Sequence, residues 1–151
     1  MTAAPRRRRK SGGLEPSLLY VVKQLELAIR AHLDALLKDS GVTALQYTAL
    51  SVLERTPTMS AADLARHSFV RAQSAADLVT ALERRGLIER AVDPANRRRL
   101  LISLTEEGTR FLEEYDPLVA ELEEQMLHGL GPRDRTKFRS LLDCCRRAFA
   151  S

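Results

Sequence analysis

Cysteine is scarce in this chain. Of 151 residues only Cys144 and Cys145 carry thiols, and as sequence neighbours they cannot staple distant elements. A disulfide scaffold is therefore excluded, and a reduced, cytoplasmic setting is the expectation. Long apolar runs are also missing: no segment approaches the ~18 uninterrupted apolar residues of a membrane helix. The basic stretch Arg6–Lys10 is not followed by an apolar run before Leu14, which argues against a secretory signal. His32, His67 and His128 show no metal-ligand spacing, and there is no Cys/His cluster. No phosphate-binding loop, nucleophile elbow or zinc-protease motif occurs, so neither an enzyme nor a cofactor is indicated. The glutamate pairs 106/107 and 113/114 read as solvated helix charges. Internal repeats and interdomain linkers are absent too.

Apolar residues make up 44% of the chain, enough for one packed domain. The net charge of +4 conceals strong segregation. Residues 66–99 carry eight Lys/Arg against four Asp/Glu, whereas residues 105–127 carry one against eight. Residues 128–151 return to six against two. A basic middle beside an acidic stretch suits a molecule with one face toward a polyanion. Arginine outnumbers lysine 20 to 4, and arginine suits phosphate forks and narrow grooves.

The pattern of elements is mainly α with a small β-hairpin. Residues 1–13 have no periodicity and read as a basic tail without fixed structure. Leu18, Val22, Leu25, Ile29, Leu33 and Leu36 form one helical stripe over about 16–37, with Pro16 in the first turn. Thr43 and Gln46 form a capping box for a second helix, with Val42 and Tyr47 as its staple and Leu45, Ala49, Leu50 and Leu53 as its buried face. Ser60 and Asp63 start a short third helix in the same way. A fourth helix runs from about Ala72 to Arg85, burying Ala75, Leu78, Val79 and Leu82, and ends at Gly86. The period then changes to two. Residues 87–92 and 100–104 read as strands around a polar turn, Asp93 to Arg99. Thr105 caps a fifth helix that Pro117 should bend, and Gly131-Pro132 starts a sixth. Cys145 is expected in the core and Cys144 at the surface.

A short helix, a turn and a second helix set the second in a DNA major groove, where only its N-terminal residues reach base edges. Those residues are Arg71, Ala72, Gln73, Ser74 and, one turn on, Asp77. Gln73 can pair bidentately with adenine, and Arg71 can fork onto guanine or hold a phosphate. Arg97, Arg98 and Arg99 form a cluster suited to the negative potential of a narrow minor groove. Double-stranded DNA is thus the indicated partner. A sequence-reading regulator and a non-sequence-specific architectural protein both fit this chemistry. The base-reading side chains Gln73, Ser74 and Asp77 favour the regulator.

Three stretches carry a family resemblance: Leu82-Glu-Arg-Arg-Gly-Leu-Ile-Glu-Arg90, Asp93-Pro-Ala-Asn-Arg-Arg98 and Leu104-Thr-Glu-Glu-Gly108. In this order and spacing the chain resembles the MarR (multiple antibiotic resistance regulator) family over about residues 16–148. The resemblance implies a winged helix-turn-helix fold and a bacterial transcriptional regulator, in most members a repressor. It also implies a homodimer on a palindromic operator. Residues of about 43–104 would then form the DNA-binding lobe of a single domain spanning 14–151. Helices of about 16–38 and 105–150 would form the dimer. By position Arg98 resembles the arginine that enters the minor groove, and Asp93 its ion-pair partner within the wing. The chain departs from the pattern at Asn96, where Asp is usual, and at Arg71, where a small hydroxyl residue is common. The resemblance further implies a cavity for a small phenolic or carboxylate effector near the hinge. His32, Leu36, Tyr47 and Arg90 are its expected lining, with Arg90 as the carboxylate partner.

Overall fold

The structure, a computed structural model, describes residues 14–68 and 71–150, so the basic tail of residues 1–13 lies outside the described residues. Helix α1 spans Leu18–Leu37 and passes through a short 3-10 turn, Lys38–Ser40. Its cap is Ser17, whose side-chain oxygen accepts from the Tyr20 N–H. Pro16 therefore precedes the helix instead of sitting in its first turn. Helix α2 (Ala44–Arg55) starts from the expected capping box. The Thr43 hydroxyl accepts from the Gln46 N–H at 3.2 Å, and the Gln46 side chain accepts from the Thr43 N–H at 3.0 Å. Val42 and Tyr47 are buried as a staple requires, whereas Leu45 is 38% exposed.

Strand β1 (Met59–Ser60) leads into α3 (Ala61–His67), and α4 spans Ala72–Arg84. The box at α3 is only half made. Ser60 accepts from the Asp63 N–H, but the Asp63 carboxylate takes the Ser60 hydroxyl instead of reaching back to the backbone. Ala75, Leu78, Val79 and Leu82 form the buried face of α4. Gly86 follows in the left-handed region at φ 72°, a conformation with no steric penalty for glycine.

Strands β2 (Ile88–Asp93) and β3 (Asn96–Leu104) form an antiparallel hairpin, and β1 adds to its other side in the order β1-β3-β2. The pairings are Ile88↔Leu104, Arg90↔Ile102 and Val92↔Leu100 on one edge, and Met59↔Ile102 with Ser60↔Leu101 on the other. Helix α5 (Glu106–Leu127) is capped by Thr105 and runs through Pro117 without a break, and α6 (Pro132–Ala148) begins with proline at its first position.

The core is a cluster from every element of the middle region. Leu50 and Leu53 of α2, Leu64 of α3, Val79 and Leu82 of α4, and Ile88 and Ile102 of the hairpin meet Leu37 of α1 and Leu112 of α5. Burying such side chains contributes roughly 1.5–3 kcal/mol each. The long terminal helices contribute little to it. Helix α1 buries only Leu37, and α6 buries no residue. Both Cys144 and Cys145 are exposed, because α6 presents no face to this core. No helix among the described residues is long and apolar enough to cross a membrane.

Candidate nucleic-acid interface

Helix α4 presents the predicted reading residues together. Arg71, the N-cap, and Ala72, Gln73, Ser74 and Asp77 are all exposed, while Ala75, Leu78 and Val79 between them point into the core. The amphipathic period of the helix thus anchors one side and leaves its first turn and a half free. Arg71 makes no side-chain hydrogen bond to this helix end, so the leading N–H groups of α4 receive no side-chain cap from it.

The hairpin differs from the expectation in a way that matters for chemistry. Arg97, Arg98 and Arg99 do not lie in a turn; they are the second to fourth residues of β3. The turn is confined to Pro94 and Ala95, between the paired residues Asp93 and Asn96. Because strand side chains alternate, Arg98 faces one side of the hairpin and Arg97 and Arg99 the other. Their fates differ. Arg99 donates to Asp63 of α3 at 2.9 Å, whereas Arg97 and Arg98 make no ion pair among the described residues. The expected Asp93–Arg98 ion pair is not formed. The Asp93 carboxylate instead accepts from the Ala95 N–H at 2.9 Å, and Asn96 accepts from the Arg98 N–H at 3.2 Å. Both side chains fold onto the local backbone, as short polar residues do at tight turns, and leave the guanidinium free.

Arg90, expected at an effector, is already paired. Its Nε and Nη2 donate to the two Glu83 oxygens at 2.7 and 3.0 Å, a bidentate fork between β2 and α4. This bond holds the Glu83 carboxyl below its ordinary range and raises Arg90 further above its own. Asp63 is likewise held low, first by the Ser60 hydroxyl and then by the Arg66 and Arg99 guanidiniums. Neither carboxylate was legible as functional in the sequence; only the Glu/Arg spacing within the 82–90 stretch hinted at one of them.

The four proposed effector positions do not converge. His32 is exposed, with its Nδ1 2.8 Å from the Ala28 carbonyl, and it lines a cleft of about 540 Å³ between α1 and α5. Leu25, Ile29, Val119, Leu122 and Met126 make that cleft largely apolar. Leu36 packs against the core, and Tyr47 is buried with its hydroxyl donating to Asp116 of α5. Arg90 is on β2, engaged by Glu83, and does not line the cleft at His32. No group of three or more His, Cys, Asp or Glu residues among the described residues could hold a metal ion.

A sequence profile of the MarR family matches residues 40–99, the span from the start of α2 to the arginines of β3. An HTH-type transcriptional repressor of Mycobacterium bovis is 25% identical over 124 residues, covering 82% of this chain and 89% of its own. The homoprotocatechuate degradative operon repressor of Escherichia coli is 30% identical over 95 residues, covering 63% of this chain and 64% of its own. Among solved structures, the transcriptional repressor CouR bound to a 23-mer DNA duplex superposes with a TM-score of 0.80 at 26% identity, covering 92% of this chain and 99% of that one. Together with the exposed first turn of α4 and the arginine-bearing hairpin, these similarities support a MarR-family winged helix-turn-helix, DNA-binding transcriptional regulator.

Proposed function

We propose that this chain acts as a cytoplasmic homodimeric repressor on a palindromic operator. In this reading residues of about 43–104 are the DNA-binding lobe, and helices of about 16–38 and 105–150 hold two copies together. Each α4 enters a major groove with Arg71, Ala72, Gln73, Ser74 and Asp77 toward the bases, and each hairpin carries Arg97 and Arg98 toward the adjacent minor groove. The observation that carries it is the exposed first turn of α4 together with two hairpin arginines that no carboxylate among the described residues neutralises. A small phenolic or carboxylate effector fits the same scheme, with the α1–α5 cleft at His32 as its place. It would act by favouring a spacing of the two α4 helices that no longer matches half-sites one DNA turn apart.

Footprinting on the promoter of the protein's own gene tests this. One discrete two-fold site is expected, and protection spread evenly along the DNA would indicate an architectural protein instead. Arg98→Ala should weaken binding and lower the slope of log affinity against log salt by about one per wing. Repeating the footprint with phenolic and carboxylate compounds tests the effector, which should erase the protected site.

A further inference from the structure

The hairpin leaves the body of the protein beyond Leu101. Its ladder to β1 ends at the pair Ser60↔Leu101, and Val92 and Leu100 farther out are about half exposed. Past that point no backbone pairing outside the hairpin itself holds it. One ion pair takes over there, and a second holds the root of the hairpin, where Arg90 lies opposite Ile102. On one face Arg90 of β2 forks onto Glu83, in the last turn of α4. On the opposite face Arg99 of β3 reaches Asp63, in the first turn of α3. Two arginines on opposite faces of one hairpin are thus gripped by carboxylates from the two different helices of the helix-turn-helix.

We propose that Arg99 is not a DNA contact but a positioning residue, which with Asp63 on one face and the Arg90–Glu83 fork on the other fixes the angle between the wing and α4. The inference rests on the reading that the wing touches DNA through Arg98. Its physical basis is the shape of the Asp63 site. Asp63 accepts from Ser60 and Arg99 on one oxygen and from Arg66 on the other, so the carboxylate has a fixed direction before any ligand arrives. A flexible hairpin would lose conformational freedom on binding. One already held at the right angle loses less, and the difference appears as affinity.

The sign of one substitution separates this role from a direct contact. Asp63→Asn removes a negative charge next to a polyanion and leaves Arg66 and Arg99 without a counter-charge. On charge alone it should tighten DNA binding and steepen its salt dependence. A brace predicts the reverse, a loss of affinity. Both side chains are partly exposed, so the loss should be about three- to tenfold. The experiment measures operator affinity across a salt series for the full-length protein and for Asp63→Asn, Arg99→Ala, the double variant and Arg98→Ala. The expected result is an equal loss for Asp63→Asn and Arg99→Ala with unchanged slope, and no further loss in the double variant. Equal or tighter binding by Asp63→Asn, or a slope reduced by about one in Arg99→Ala, overturns the proposal. Arg99→Ala truncates an exposed strand side chain and leaves no cavity, so it carries the slope test whether or not Asp63→Asn folds. An Arg98→Ala variant with wild-type affinity and slope would refute the wing reading itself, and the brace with it. A reduced slope in both arginine variants would refute the brace alone.

Discussion

Tyr47 is the residue at which a sequence reading and the structure diverge most usefully. In the sequence it could be a helix staple or a ligand contact, because a phenol offers both a ring and a hydroxyl. The structure makes it a tie between the two halves of the molecule: the ring is buried beneath α2, and the hydroxyl donates to Asp116, next to Pro117 in α5. Burial first, and then the hydrogen bond to a carboxylate, push the phenol well above its ordinary 10. The neutral phenol is thus the form that the fold holds. Below pH 10 the tie is intact in full. Above it the unfolded chain gains by ionising while the folded one resists, so stability falls as pH rises from 10 through the higher folded value. Tyr47→Phe should cost about 1–2 kcal/mol near neutrality and remove this part of the alkaline loss, a difference that urea melts at pH 7 and above pH 10 can read. The same scale explains why the arginines were only partly legible. Their number and place were evident, but which one was neutralised depended on Asp63, 36 residues away in the chain from Arg99.

At the scale of elements, most helices were readable because four of the six carry a side-chain cap, and α2, α3 and α5 announce it in the sequence. Ser17, Thr43, Ser60 and Thr105 all accept hydrogen bonds from the N–H three residues on, and the apolar period of α4 marked its buried face in full. The strands were harder for a physical reason. Alternation is a signal only where one face is buried, and the outer part of β3 from Asn96 to Leu100 is exposed on both faces, so three arginines in a row looked like a turn. Strand β1 has two residues and exists only through its partner β3, a pairing that no local pattern records. The Leu104-Thr-Glu-Glu-Gly108 stretch, legible as a motif, gains a cause here. The Thr105 N–H donates to the Leu87 carbonyl at 3.1 Å, and Gly108 is buried against that same carbonyl, where a methyl group would collide with its oxygen. The start of α5 therefore lies directly on the chain leaving α4. Gly108→Ala should force these backbones apart at a cost of about 1–3 kcal/mol, despite alanine's better helix propensity. Gly129→Ala, where a methyl meets nothing within 4 Å, should be nearly neutral. Thermal melts of the two variants check the contrast, and equal melting temperatures would contradict this packing argument.

For the whole molecule, the decisive feature is apolar surface with nothing upon it. Leu18 and Leu19 at the start of α1 are 83% and 76% exposed, and Leu141, Leu142 and Phe149 near the end of α6 are 54%, 44% and 87% exposed. Proteins in water rarely leave so many large apolar side chains open on two helices, and helices at both ends of a small lobe have the length to bury them against a second copy. Charge points the same way. The stretch 105–127 has seven more acidic than basic residues, and 128–151 has four more basic than acidic, so an antiparallel meeting of copies would set unlike charges together. The first helix was legible as a stripe in the sequence. Its partner was not, because a stripe records that a face is buried and not what buries it. Leu18→Glu and Leu141→Glu separate the alternatives. Within one chain both side chains are mostly solvated, so a carboxylate at either place empties no core space and should leave the central fold intact. Between two chains each would bury an unpaired charge, which costs several kcal/mol and must be incurred twice in a symmetric interface. Sedimentation at micromolar concentration should therefore give a dimer for the natural chain and a folded monomer for either variant. Operator affinity should collapse with the dimer, because a single lobe reads only one half-site. A variant that remains dimeric and binds the operator as before would exclude these faces from the interface.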